Sequence, residues 1–254
     1  IQPLVSAITN VALDHQNILG NTVGEIAAEK AGIIKKNTVI ISGDENEKVK
    51  SIIRNKAAEN NSDWVDATLI NVDLSSDLKG NYQQKNIKVV LALIDELRNL
   101  GIEIPKEQIK SGLLNVQQNT GFIGRWFEFS RDPLIICDTG HNQAGLEEVF
   151  AQLNSIPKFK HIILGFVKDK KIDEVLKILP ENSTFYFAKP YLNRGLHPSF
   201  YEDQLKESKI NYKIFDEVNG AYLSAKQNLK NGEMIFIGGS NFVVGEFLEK
   251  NLQK

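Results

Sequence analysis

The chain is poor in sulfur. Its 254 residues include one cysteine, Cys137, and one methionine, Met234. A lone cysteine excludes an internal disulfide framework and fits a reducing cytosol. No apolar run approaches the ~20 residues a membrane helix needs, and no stretch reads as a secretory signal. Basic charge is not in excess either. Thirty Lys and Arg face 32 Asp and Glu, a net charge of -2. Nothing therefore argues for a nucleic acid or a membrane surface as partner. An initiating methionine is also missing. The chain opens on Ile1, and "IQPLVSAIT" already reads as loop and buried strand, so the expectation is a piece of a longer protein.

What is present suits a soluble globular protein of one large or two moderate domains. Val5 to Thr9 is a short apolar run, a candidate buried strand. Thr22 and Glu25 have capping-box spacing, which predicts a helix over about Val23–Lys30 that stops near Gly32. Asn37–Ser42 reads as a strand, Glu45–Asn60 as a helix and Ala67–Leu74 as extended. In Gln83–Gly101, Ile87, Val90, Leu91, Ile94 and Leu97 share one helical stripe. A shorter helix is expected over Ile104–Val116.

Polar and glycine residues cluster over Gln117–Arg125, the expected domain boundary. Beyond it, strands at 134–138, 161–166, 184–189, 211–215 and 233–239 alternate with helices at 143–154, 169–179, 198–207, 217–230 and 241–250. Alternation of this kind predicts a parallel sheet covered on both faces.

The polar residues gather where such strands end. "LIICDTGHNQAG" runs from a strand into a helix through Asp138, Thr139, Gly140, His141 and Asn142. The carboxyl end of a parallel strand is the usual ligand position. Asp138 offers an acceptor for ribose hydroxyls and His141 a donor to an anion, or Asp138 and Asn142 simply cap the helix. "GFIGRWFEF" places Arg125, a phosphate-seeking guanidinium, at the boundary, where a plain surface arginine is the alternative. "GGSNFVVGE" brings Ser240 into a glycine turn before a helix. It is not the GxGxxG dinucleotide fingerprint. "ALDH" and "EIAAEKAGI" put His15 in a strand-exit loop and Lys30 at a helix end. A lysine becomes a ligand for a hard cation only as its carbamate. His161 reads as core or strand edge, His197 as structural and "KDKK" (168–171) as a solvated helix start.

Taken in order, ALDH, EKAGI, GNYQQKN, GR, DTGHN, GFVKDK and GGS resemble the folylpolyglutamate synthase/dihydrofolate synthase family, within the Mur-type ATP-dependent amide ligases. The resemblance covers nearly the whole chain. It implies an α/β fold: an incomplete P-loop-type ATPase domain over 1–118, then a Rossmann-like C-terminal domain over 119–254 with a mostly parallel sheet. ATP would lie between the two. It implies a cytoplasmic, monomeric enzyme that uses Mg2+ and ATP to join L-glutamate to a folate or pteroate carboxylate through an acyl phosphate. His15 matches a magnesium ligand. Lys30 matches the lysine that becomes carbamylated and supports a second metal and the acyl phosphate. Asn86 matches an asparagine near adenine, with Tyr82 where the family often has histidine. Arg125 matches the arginine of a Pro-Gly-Arg motif that reaches ATP, with Ile123 in place of the proline. Asp138 and His141 match an Asp-Gly-Ala-His-Asn motif, here Asp-Thr-Gly-His-Asn, serving ribose and phosphate or glutamate. Ser240 matches a serine beside the cleft.

The family's P-loop, GxxxxGK[ST], is absent, as is any Gly-Lys pair. Residues 1–118 are therefore expected to be the latter part of the ATPase domain, and the chain alone is expected to be inactive. A cell-wall amino-acid ligase, a non-catalytic nucleotide-binding module and a purely structural domain are the competing readings.

Overall fold

The computed structural model describes residues 1–168 and 172–252. By internal contacts the chain divides into two compact units, residues 1–77 with 81–121 and residues 78–80 with 122–254.

The first unit is built on three short parallel strands, β1 (Ser6–Ile8), β2 (Ile40–Ser42) and β3 (Trp64–Asp66), in that spatial order. Helix α1 (Gln16–Leu19) precedes α2 (Val23–Ala31), whose Thr22–Glu25 capping box forms as the spacing predicts. Ile26, Ala27 and Ala31 of α2 bury against Ile8, Ile40 and helix α3 (Glu47–Glu59). The extended segment expected over Ala67–Leu74 lies elsewhere. The strand is Trp64–Asp66, and Ala67–Leu69 is a turn of 3-10 helix that Asp66 caps.

Helix α4 (Gln83–Asn99) also departs from the expected stripe. Val89 and Ala92 are buried, while Val90 is 37% exposed. Two cores claim this helix. Val89, Ala92 and Leu93 pack with Ile41 and Ala67, whereas Ile87, Leu91 and Ile94 pack with Ile109 and Leu113. A single stripe cannot describe a helix packed on two sides. Ile109 and Leu113 belong to α5 (Lys106–Leu114), which is followed by α6 (Val116–Thr120).

The second unit is the larger sheet. Its strands run in the order β10 (Tyr212–Phe215), β8 (Ser183–Ala188), β6 (Lys160–Leu164), β11 (Met234–Gly238), β5 (Leu134–Cys137) and β4 (Phe127–Arg131). All pairs are parallel except β4 with β5. A small antiparallel pair, β7 (Phe166–Val167) with β9 (Gly195–Leu196), splits the strand expected at 161–166. Strand β4 was not foreseen; its Phe-Glu-Phe-Ser-Arg sequence is too short and too mixed to stand out.

Helices cover both faces: α7 (Gln143–Asn154), α8 (Ile172–Leu176), α9 (Glu202–Glu207), α10 (Val218–Asn228) and α11 (Asn241–Asn251). Asp169, Lys170 and Lys171, expected at the start of helix 169–179, lie outside the described residues. Every residue of β6 and β11 is buried, which explains the apolar runs Ile162–Leu164 and Met234–Ile237. On one face Ile135, Ile163, Ile235 and Ile237 meet Ala221 and Tyr222 of α10 and Val243 and Phe247 of α11. On the other, Phe236 meets Phe150 of α7 edge to face. Each such side chain contributes about 1.5–3 kcal/mol on burial. His161 is core, as expected: Nδ1 meets Tyr186 Oη at 2.9 Å and Nε2 meets Glu233 Oε2 at 2.8 Å.

Candidate functional site

Of the sequence-predicted residues, His15, Asp138, His141 and Ser240 follow carboxyl ends of parallel strands, whereas Lys30 and Asn86 stand on helices. In the first unit, the loop leaving β1 carries His15. Its backbone is left-handed (φ 51°, ψ 37°), and its carbonyl accepts the amides of Ile18 and Leu19. Asp14 Oδ1 accepts the His15 amide at 2.9 Å. The imidazole is exposed.

Lys30 stands in the last turn of α2, where a cation complements the helix dipole. Its Nζ donates to the Asn10 carbonyl at 2.9 Å. The neighbouring Val11 amide donates to Asp44 Oδ2 at 2.6 Å, and Asp44 Oδ1 accepts the Asn46 amide at 2.8 Å. Gly43 lets this turn approach the β1 exit: a Cβ there would lie 2.7 Å from the Thr9 carbonyl oxygen. Asn86 lies in the first turn of α4, exposed, and donates to Gln83 at 2.8 Å.

At the start of α2, burial opposes but does not outweigh the amides of Asn21 and Thr22. They hold the Glu25 carboxyl below its ordinary range, with the Asn21 amide the largest influence.

In the second unit Asp138 follows β5 and is 1% exposed. Its Oδ2 accepts the Trp126 amide at 2.8 Å and its Oδ1 the Gly140 amide at 2.7 Å. The Thr139 amide donates to the Gly124 carbonyl at 2.9 Å. One carboxylate thus ties the Gly124–Trp126 turn to the loop after β5. Trp126 pays for this with φ 46°, an uncommon value for a bulky residue, while its ring is 5% exposed. Arg125, between them, is half-buried and has no ion pair among the described residues.

His141 Nδ1 contacts the Thr139 carbonyl at 3.1 Å. A carbonyl accepts only, so Nδ1 bears the proton in this contact. Asn142 caps α7 by accepting the Gly145 amide. Ser240 is buried and caps α11 by accepting the Phe242 amide at 3.0 Å, after a glycine at φ 85°. Strand β11 lies beside β5, so the loops of Asp138 and Ser240 leave adjacent strands. A cleft of about 440 Å³, lined by Ile123, Gly124, Thr139, Asn241 and Val244, opens beside them.

Sequence reasoning missed Asp44 and the left-handed Trp126. The first had a signal, a carboxylate two residues beyond an apolar strand. The second had none, because a tryptophan does not announce a positive φ.

A divalent cation was tested against this donor set. No group of three or more His, Cys, Asp and Glu able to hold a metal occurs among the described residues. His15 offers one nitrogen, and Lys30 as an amine is a donor, not a ligand. These residues do not form a protein cage. They suit Mg2+ that arrives on phosphates, since that ion keeps substrate and water oxygens in its shell.

Residues 124–241 match the family described as Mur ligase, glutamate ligase domain. Beyond that stretch the chain is similar to folylpolyglutamate and dihydrofolate synthases. It is 25% identical to the dihydrofolate synthase/folylpolyglutamate synthase of Bacillus subtilis, covering 98% of this chain and 63% of the relative. It is also 25% identical to the probable bifunctional folylpolyglutamate synthase/dihydropteroate synthase of Haloferax volcanii, covering 97% of this chain and 32% of the relative.

Among solved structures, the ligand-free bifunctional enzyme of Yersinia pestis superposes with a TM-score of 0.83. That match has 23% identity and covers 99% of this chain and 63% of that one. E. coli FolC in complex with ADP gives 0.78 at 25% identity, over 97% of this chain and 61% of that one. A further bifunctional synthase, with Mn, AMPPNP and L-glutamate bound, gives 0.82 at 22% identity, over 99% and 62%. The chain thus spans less than two thirds of these relatives. Among the described residues no helix is long and apolar enough to cross a membrane.

Proposed function

We propose that the protein serves an ATP-dependent amide ligase of folate biosynthesis and one-carbon metabolism. The ligase joins L-glutamate to dihydropteroate or to a tetrahydrofolate tail, as a monomer in the cytosol. Residues 1–118 belong to its central ATPase domain and 119–254 form its C-terminal domain. The observation that carries this reading is the Asp138 clamp, which holds Arg125 and His141 at one strand end of a domain matched to glutamate ligases.

The substrate carboxylate takes the terminal phosphoryl group of Mg-ATP. The glutamate amine then attacks the acyl phosphate, forming the amide and releasing phosphate. Charge builds on phosphoryl oxygens in both steps, and fixed cations lower it most effectively in a preorganised site. Arg125 serves phosphate and Asn86 the base. Asp138 serves the nucleotide from beneath, by fixing the Arg125 turn; its own oxygens are committed to amides. The cleft beside Gly124 and Thr139 has a volume suited to a nucleoside. His141, with Nδ1 held by Thr139, presents Nε2 to accept a proton from the glutamate ammonium. Ser240 sets the start of α11 at the glutamate side. His15 would offer one nitrogen to the magnesium that ATP carries. Lys30 would join it only as the carbamate, whose carboxylate supplies the oxygen ligands that an amine lacks.

The test is a chimera in which this chain replaces the matching stretch of the Bacillus subtilis relative. Labelled glutamate incorporation is measured with dihydropteroate and tetrahydrofolate offered separately. Incorporation into either supports the ligase and assigns its acceptor. A folded, ATP-binding chimera that transfers no glutamate to either removes the reading.

A further inference from the structure

Asn10 and Val11 share one peptide group, and the fold grips it at both ends. The Asn10 carbonyl accepts from the Lys30 ammonium at 2.9 Å, while the Val11 amide donates to Asp44 at 2.6 Å. The two holds differ in kind. The Lys30 contact is exposed, whereas Asp44 is 6% exposed and its other oxygen is anchored by the Asn46 amide. A short, buried, charge-assisted bond is the stronger constraint. It is also independent of the chemical state of Lys30. Were the exposed Lys30 contact to break, Asp44 alone would keep the peptide in place.

The loop beyond this peptide leads in four residues to His15, whose left-handed backbone tolerates little freedom. The packing leaves Asp44 no slack: Gly43 fits between the Thr9 carbonyl and Val89, and its amide donates to the Ile8 carbonyl at 2.9 Å.

We propose that Asp44 is a positioning residue for the reaction. Through the Asn10–Val11 peptide it sets the place of His15 and of the carbonyl that Lys30 meets. The inference rests on the ligase reading above. Its structural part is tested in the 254-residue chain itself, and its catalytic part in the chimera.

In the wild-type chain, the Val11 amide should exchange with solvent at least tenfold more slowly than the exposed amides of the same loop. A fast Val11 amide overturns the proposal before any variant is made. In Asp44→Asn, which keeps size and one acceptor oxygen, Val11 exchange should quicken at least tenfold and the His15 ring resonances should move. The helical amides of Glu29 and Lys30 in α2 should stay as they were. Asp44→Glu restores the carboxylate and should recover part of the protection, which keeps the test valid should Asp44→Asn unfold. In the chimera, Asp44→Asn should lower kcat about tenfold while KM for glutamate stays within twofold. A merely structural role predicts no change in kcat once the protein is folded. Released Val11 with unmoved His15 resonances, or with unchanged kcat, overturns the proposal. A wild-type chimera without turnover condemns the ligase reading instead, and the exchange and ring signals still decide whether Asp44 holds the loop.

Discussion

Both units use an aspartate to hold a loop at the carboxyl end of a strand, but they do so differently. Asp138 sits at the end of its own strand, fully buried, and gathers two amides of nearby loops. Asp44 leans from a neighbouring strand onto one amide, and an exposed lysine supports the other end of that peptide. The settings explain the contrast. The larger sheet has helices on both faces and strands buried throughout, so a carboxylate there has no water to replace a lost partner. The smaller sheet has strands of three residues, and the loop residue His15 and the α4 residue Asn86 face solvent. The second unit is therefore expected to hold its loop rigidly and the first to leave its own loop adjustable.

The largest effect that would sharpen this contrast is catalytic. Arg125→Ala in the chimera should lower kcat by about 10²–10³, the usual range for losing one fixed electrostatic stabiliser. The denaturation midpoint should barely move, because Arg125 has no ion pair to lose. A loss of stability in step with activity would make Arg125 a structural residue.

Next in size, Asp138→Asn replaces one acceptor with a donor beneath a buried amide. It should destabilise the chain by about 2–3 kcal/mol in urea unfolding. Lys30→Met removes an exposed contact and should cost clearly less. Equal losses for the two variants would erase the distinction between rigid and adjustable halves.

Acid should act next, and on the second unit. Burial raises the Glu233 carboxyl, but the bond from His161, the Lys230 amide and the nearby positive charges outweigh it and hold the group below its ordinary range. A carboxyl depressed in the folded state stabilises fully above its unfolded value, about 4.3, and loses that contribution as pH falls through the folded value. Unfolding midpoints followed below about pH 4.3 should therefore fall less steeply in Glu233→Gln than in the wild type. Parallel curves would remove Glu233 from the acid response.

The smallest expected change is at His15. Glycine adopts φ 51° without a Cβ penalty, so His15→Gly should leave stability unchanged or raise it by at most about 1 kcal/mol. Turnover in the chimera should fall. A destabilised His15→Gly would show that the imidazole holds the loop by contacts of its own.

Much of this was legible in the chain. Thr22 and Glu25 announced a helix start because a capping box is made within four residues. The apolar runs ending at Cys137 and Gly238 announced buried strands because both faces of each had to be covered. The loops of Asp138, His141 and Ser240 could be placed at strand ends for the same reason. Where reading failed, the cause was partnership over distance. Val90 points away from both cores of α4 because those cores lie on two sides of the helix. The strand near residue 66 ends where Asp66 turns to cap the next residues.

The sequence by itself determined the alternation of strands and helices, the resemblance to a family and the residues proposed to carry chemistry. All of these depend on local order, on spacing and on side-chain type. Only the tertiary structure decided that Asp138 spends both oxygens on backbone amides, that Trp126 takes a left-handed turn around them, and that Asp44 grips the peptide before His15. The Asp138–Trp126 and Asp44–Val11 bonds join residues 12 and 33 positions apart, and a hydrogen bond across such a gap exists only once packing has brought its two ends together.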